Sequence, residues 1–148
     1  MNLIMTILDQ INETKRQEIA TSKKLFPQEH LMASPYFVRK CNSLKTALLK
    51  ENASGVIAEF KPKSPSKGVI NDTADVTEVT RGYVSAGASG LSVLTDEEYF
   101  GGSMENLAKA RFANPETPIL RKDFMLDPYQ IYEAKAHGAD VILLIAES

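Results

Sequence analysis

The sequence predicts an α/β fold of parallel βαβ units behind a helical N-terminal segment, and three observations carry that prediction. Four short, largely apolar runs recur at residues 56–60, 90–95, 117–124 and 140–146, each ending a stretch of about 25–35 residues. Segments with helix signatures lie between them, and parallel strands need crossovers of that length where hairpins do not. The last run, Val141-Ile-Leu-Leu-Ile-Ala, is apolar without alternation, the pattern of a strand buried on both faces.

Residues 1–50 contain no strand-like run and read as a helical extension, with the strand units over 51–148. Ile4, Leu8 and Ile11 recur at helical spacing, after which Lys and Glu dominate to Lys24. Pro27 and Pro35 bracket a turn. Ser34 as cap and Pro35 at the first helical position predict a second helix, with Phe37, Cys41, Leu44 and Leu48 as its packing stripe. The early methionines and Met32 are read as packing residues too. After the first strand a loop leads to a helix from about Asp75 to Ala86, closed by Gly87. Ser103 caps a helix to about Phe112, and Pro128 opens one that Gly138 ends.

Composition narrows the class of protein. The chain has 148 residues, 43% hydrophobic and 24% charged, as a globular domain has. A formal net charge of −2 argues against general attraction to nucleic acid or acidic membrane. Cys41 is alone, so no intrachain disulfide forms, and with two histidines a zinc site is improbable. His30 and His137 are expected at the surface. The apolar start is too short for a signal core and lacks a basic leader, and no run reaches the roughly 20 residues of a membrane span. The expectation is a soluble cytoplasmic protein. No G-x-G-x-x-G supports a small doubly wound sheet. The chain ends two residues after its most apolar run, with no helix to cover it, and a bare apolar edge invites aggregation. The sequence therefore predicts a truncated chain, or a half that pairs with another half.

The chemistry-bearing residues cluster at the C-terminal ends of predicted strands, the face that holds the active site in α/β barrels. Alternation puts Ile57, Glu59 and Lys61 on one side of the first strand and Ala58 and Phe60 on the other. On the third strand it aligns Leu120, Lys122 and Phe124 against Arg121 and Asp123. Strands one and three can thus bring Glu59, Lys61 and Lys122 around one cavity, where a lysine beside another cation becomes a usable proton donor. A structural ion pair at the first strand's end and a solvated lysine at the third's are the competing readings, and spacing leaves them open. The loop Lys63-Ser-Pro-Ser-Lys-Gly68 offers lysines, hydroxyls and exposed amides that suit phosphate, though it is not a Walker loop. After the second strand, Asp96-Glu-Glu-Tyr-Phe100-Gly-Gly lies on the same rim. Phe100 there can cover a flat apolar ligand, while the acidic residues are expected to be solvated.

Three long segments carry a resemblance. Glu59-Phe-Lys-Pro-Lys-Ser-Pro-Ser-Lys-Gly, Leu91-Ser-Val-Leu-Thr-Asp-Glu-Glu-Tyr-Phe-Gly-Gly-Ser and Ile119-Leu-Arg-Lys-Asp-Phe-Met-Leu-Asp-Pro-Tyr-Gln-Ile closely resemble the indole-3-glycerol-phosphate synthase family, in the right order and at the right separations. The similarity runs from about residue 4 to the end and implies the first four strands of a TIM (β/α)8 barrel behind the family's extra helices, which help cover the barrel mouth or lower wall. It implies a carboxy-lyase of tryptophan biosynthesis. Such an enzyme converts 1-(2-carboxyphenylamino)-1-deoxyribulose 5-phosphate to indole-3-glycerol phosphate with loss of carbon dioxide and water, using no metal or organic cofactor. By resemblance Lys122 is the general acid, Glu59 and Lys61 position the substrate, Lys63 and Ser64 belong to the phosphate site, and Phe100, Phe124 and Leu143 hold the anthranilate ring. A complete member has eight strands and about 250 residues. A second catalytic carboxylate, an asparagine and most phosphate-binding loops fall beyond the fourth strand, so the resemblance implies little or no activity for this chain alone. Two other readings stand beside it: a non-catalytic half-barrel that dimerises through its exposed edges, and a Schiff-base aldolase using Lys122 as nucleophile.

Overall fold

The computed structural model describes residues 4–148. Met1, which the sequence reading grouped with the packing methionines, lies outside the described residues together with Asn2 and Leu3.

Helix α1 (Ile7–Leu25) starts at a capping box: the Thr6 side chain accepts from the Asp9 N–H, and the Asp9 carboxylate accepts from the Thr6 N–H. Ile4 lies outside it and is 90% exposed. The buried stripe of α1 is Ile11, Asn12, Lys15 and Ile19, half of it polar. Two short helices follow, α2 (Gln28–Met32) and α3 (Leu44–Leu49).

The helix expected from Pro35 through Leu48 is a correction. The Ser34 hydroxyl donates to the Ala136 carbonyl at 2.5 Å instead of capping a helix, and Ser43 caps α3 by accepting from the Thr46 N–H. Between them Arg39 and the Asn42 N–H are drawn to Asp140 Oδ1, at 2.8 and 2.7 Å, which prevents helical continuation. Tertiary bonds override the periodicity. Cys41 is consequently exposed rather than packed, as are Met5 and Met32.

The strand region matches its sequence signature in order and type. A sheet of β1 (Ile57–Phe60), β4 (Gly90–Leu94), β5 (Ile119–Lys122) and β6 (Val141–Ile142) has the order β1-β4-β5-β6, every pair parallel. Helices α4 (Val76–Ser85), α5 (Met104–Ala113) and α6 (Tyr129–Ala136) connect them, with Asp75 and Ser103 capping α4 and α5. Gly87 and Gly138 take positive φ just after α4 and α6, conformations that favour glycine.

One face of the sheet holds the core. Phe60, Leu91, Val93 and Ile119 pack with Val76 of α4, Leu107 and Ala110 of α5 and Ala134 of α6. All three connecting helices therefore meet the same face, where a doubly wound sheet would be covered on both. The opposite face carries Ile57, Glu59, Ser92, Leu120, Lys122 and Val141, and Ile57 there is 41% exposed.

Two details depart from expectation. The last strand ends at Ile142; Leu143 and Leu144 are exposed, and Val141 and Ile142 only half-buried, because β6 pairs with β5 on one side alone. The continuous apolar run is thus not buried on both faces in this structure. Within the loop after β1, β2 (Lys63–Ser64) pairs antiparallel with β3 (Gly68–Val69) as a small hairpin.

The N-terminal helices reach both ends of the sheet. A Cβ on Gly90, at the start of β4, would stand 2.5 Å from Leu44 Cδ1, so α3 packs against the N-terminal end. At the other end α1 bonds to the residues following β4 and β5: Lys15 to Asp96 and Asp123, Thr14 to Tyr99.

Candidate active site

Three of the predicted residues meet on the open face at the C-terminal ends of the strands. Glu59 lies opposite Ser92 in the β1–β4 register, and Lys122 opposite Leu94 in the β4–β5 register. β1 and β5 flank β4, so their inner side chains must cross one strand, about 10 Å in all, to meet. Ser92 is small enough to let them, and its hydroxyl donates to Glu59 Oε2 at 2.9 Å. Lys122 Nζ donates to the same oxygen at 3.3 Å, and Lys61 Nζ lies 3.8 Å from Glu59 Oε1. The cations thus stand on either side of one carboxylate, rather than against each other as expected. Their side chains are 37% (Lys61), 36% (Lys122) and 29% (Glu59) exposed, so solvent and ligand can reach all three.

The aromatic residues are a second group. Phe100 and Phe124 face each other with ring centroids 5.9 Å apart and planes at 40°, an attractive tilted geometry. Phe124 follows Lys122 by two residues, so ring and amine share a strand end. The loop bearing Phe100 is fixed by its own backbone: Gly102 N–H donates to the Asp96 carbonyl and Gly101 N–H to that of Glu97, at 2.8 and 2.9 Å. Gly102 passes so close to β4 that a Cβ there would lie 2.1 Å from the Leu94 oxygen.

The remaining predicted residues are not gathered in the same way. Lys63 touches this loop, its N–H donating to the Phe100 carbonyl at 3.2 Å. Ser64 is buried, and its hydroxyl accepts from the Lys67 N–H within the β2–β3 hairpin. Leu143 stands just past β6 with 36% of its surface exposed.

The other face of the same strand ends carries a buried ionic cluster. Lys15 Nζ lies 2.8 Å from Asp96 Oδ1 and 3.1 Å from Asp123 Oδ1, and Asp123 Oδ2 accepts from Thr95 and Arg121. Arg121 also reaches Glu133 at 2.9 Å and the Gln130 carbonyl at 2.9 Å. Burial pushes the Asp123 carboxyl up, but the Arg121 and Lys15 charges and the hydrogen bonds from Thr95 and the Phe124 N–H outweigh it and hold it below the usual range. For Lys15 burial acts downward, and the Asp123 charge with the bonds to Asp96 and Glu18 lifts it above the ordinary lysine range. The expectation that Asp96 is solvated is therefore corrected: it is fully buried. His30 is exposed, whereas His137 is half-buried, its Nδ1 2.8 Å from the Glu133 carbonyl.

Comparison with known proteins decides the family. The family model described as indole-3-glycerol phosphate synthase matches residues 8–148, nearly the whole chain. The chain belongs to that family. Proteins named indole-3-glycerol phosphate synthase from Bacteroides thetaiotaomicron and Carboxydothermus hydrogenoformans are 46% and 48% identical, over 95% and 93% of this chain but 53% and 54% of their own lengths. The one from Neisseria meningitidis serogroup B is 48% identical over 95% of this chain and 55% of its own length. The chain thus spans about half the length of the curated relatives it matches.

Sequence reasoning missed two residues at or behind this candidate site, Ser92 and Lys15. Ser92 had a signal, a hydroxyl within an apolar strand on the same side as Glu59. Lys15 had almost none, since a lysine in a Lys- and Glu-rich helix reads as surface. No helix among the described residues is long and apolar enough to cross a membrane.

Proposed function

We propose that this chain is the N-terminal half of a (β/α)8-barrel indole-3-glycerol phosphate synthase, with residues 1–50 as its helical extension, residues 51–148 as the first four strand units, and a cytoplasmic location. The observation that carries the reading is the Glu59 carboxylate set between Lys61 and Lys122 at the C-terminal ends of parallel strands, in a chain of this family.

The reaction closes the ring of 1-(2-carboxyphenylamino)-1-deoxyribulose 5-phosphate and expels carbon dioxide and water. Lys122 donates a proton to the substrate carbonyl as the aromatic carbon attacks it, where negative charge develops on oxygen. Lys61 faces the carboxylate that leaves, and Glu59 keeps both amines oriented. Phe100, Phe124 and Leu143 hold the anthranilate ring. Lys63 and Ser64 supply part of the phosphate site, a role for which Ser64 must turn from its hairpin bond toward the ligand. The chemistry asks for no metal or organic cofactor, and the partner is a small phosphorylated molecule rather than nucleic acid or membrane.

Indole fluorescence on incubation with substrate tests the reading. The chain alone should show little or no turnover, since the strands expected to carry the second carboxylate and most phosphate contacts lie outside it; turnover near a complete enzyme's would refute this. In the full-length parent, Lys122→Ala should depress kcat far more than it raises KM. A rise in KM alone would remove Lys122 from the proton-transfer role.

A second reading, a homodimer closed through the sheet edges, is favoured by the exposure of Ile57 in β1 and Leu144 beyond β6, 41% and 72%. A monomer by size exclusion with light scattering would dismiss it.

A further inference from the structure

The amine that ties together the two strand ends of the site belongs to neither strand. Lys15 lies four residues after Ile11 and four before Ile19 on the inner stripe of α1 and is 3% exposed. Its ammonium donates to Glu18 of its own helix at 2.5 Å and pairs as an ion with Asp96 beyond β4 at 2.8 Å and Asp123 beyond β5 at 3.1 Å. Asp96 in turn anchors the loop that carries Phe100, through bonds from the Tyr99 and Gly102 N–H groups. Asp123 sits between Lys122 and Phe124. One buried cation is therefore paired with the residue between Lys122 and Phe124 and with the residue that anchors the Phe100 loop, both from the face opposite the site.

Docking α1 needs no such charge. Ile19 packs with Leu31, Tyr129 and Ala136, and the Tyr129 hydroxyl donates to the Ser22 and Phe26 carbonyls. Desolvating an ammonium is costly, and a buried ionic group replaced by apolar side chains often leaves a protein as stable or more so. What the charge adds is a fixed geometry between two loops.

We infer that Lys15 is a positioning residue of this site: by clamping Asp96 to Asp123 it sets where Lys122 and the Phe100–Phe124 pair stand relative to Glu59. The inference rests on the role proposed above for Lys122 and adds α1 to the site's machinery without contact to substrate.

The test uses the intact chain with no substrate. Lysines are acetylated with an N-hydroxysuccinimide ester and the rate at Lys122 is read by peptide mass spectrometry. Lys15→Met should raise that rate roughly fivefold, the factor an exposed ion pair with Glu59 supports, because the strand end shifts and the amine leaves the carboxylate. Lys15→Arg, which can still bridge two carboxylates, should restore most of the protection. Ile19→Ala, which loosens α1 and spares the clamp, should leave the Lys122 rate as in the parent chain. An unchanged rate in Lys15→Met, or an equal rise in Ile19→Ala, overturns the inference. If circular dichroism shows Lys15→Met unfolded, Asp96→Asn removes one arm of the clamp instead: a faster rate supports the inference and an unchanged one overturns it. The role of Lys122 fails in a different assay, since a fully active Lys122→Ala parent enzyme would leave this acetylation pattern as it is.

Discussion

The C-terminal end of β5 joins two charged clusters, centred on Lys122 and on the next residue, Asp123, on opposite faces. Toward the helices, Asp123 and Arg121 join Lys15, Asp96 and Glu133 in ion pairs of 2.8–3.1 Å, with the Lys15, Asp96, Arg121 and Asp123 side chains 0–4% exposed. Toward the open face, Lys122 and Lys61 meet Glu59 at 3.3 and 3.8 Å, with about a third of each side chain exposed. Both clusters pair basic with acidic side chains; the solvent and the spare bonding capacity differ. Arg121 directs its donors at Thr95, Gln130, Asp123 and Glu133, so little is left for a ligand. Lys122 has three donors and bonds to Glu59 alone among the described residues. A saturated, dry cluster builds a scaffold, and a loosely paired, wet one can exchange its partner for a substrate.

The sharpest way to break that contrast is at Asp123. Asp123→Ala removes the acceptor of Lys15, Arg121 and Thr95 together and leaves buried cations undercompensated, which costs about 3–5 kcal/mol. Urea unfolding followed by circular dichroism reads it directly. A loss no larger than that of a surface ion pair would mean the helix-side cluster is no scaffold.

Acid separates the two faces next. Asp123 titrates lower in the folded chain than in the unfolded one. Its stabilisation is therefore complete above the unfolded value of about 3.9 and is lost as pH falls through the lower folded value. Lys15 has the opposite sign: its pKa is raised in the folded chain, so its contribution is complete below about 10.4 and is lost only as pH rises through the folded value. Between about pH 5 and 2, the stability of the parent chain should fall more steeply than that of Asp123→Ala. Parallel slopes would take Asp123 out of the acid response.

The sequence made one of these faces far more legible than the other. Strand alternation alone puts Glu59 and Lys122 on one side, and parallel strands put both at one rim; the structure has them there. The cap at Ser103 and the helix start near Asp75 were readable because each cap bonds within its own turn. What stayed hidden depends on partners far along the chain. Lys15 meets Asp123 across 108 positions, and the segment around Arg39 is bent out of a helix by Asp140, about a hundred residues on. Local periodicity carries no record of such bonds. The strand end at Ile142 is hidden likewise, because how far an apolar run stays in a sheet depends on the neighbours it pairs with.

The smallest expected effect is the one that completes the comparison. Lys122→Ala deletes a cation whose partner Glu59 keeps Ser92 as donor and Lys61 nearby, and both ends of the lost pair are already wet. Exposed pairs of this kind are worth about 0–1 kcal/mol, and no buried group is orphaned by the change. Urea unfolding should therefore place Lys122→Ala within about 1 kcal/mol of the parent chain, against the several lost one residue later at Asp123. Two charged neighbours at one strand end, opposite in face, would then differ in their effect on stability because only one is held inside the protein. A loss at Lys122 as large as that at Asp123 would make the open cluster a structural one, and with that the argument for its chemistry would fail.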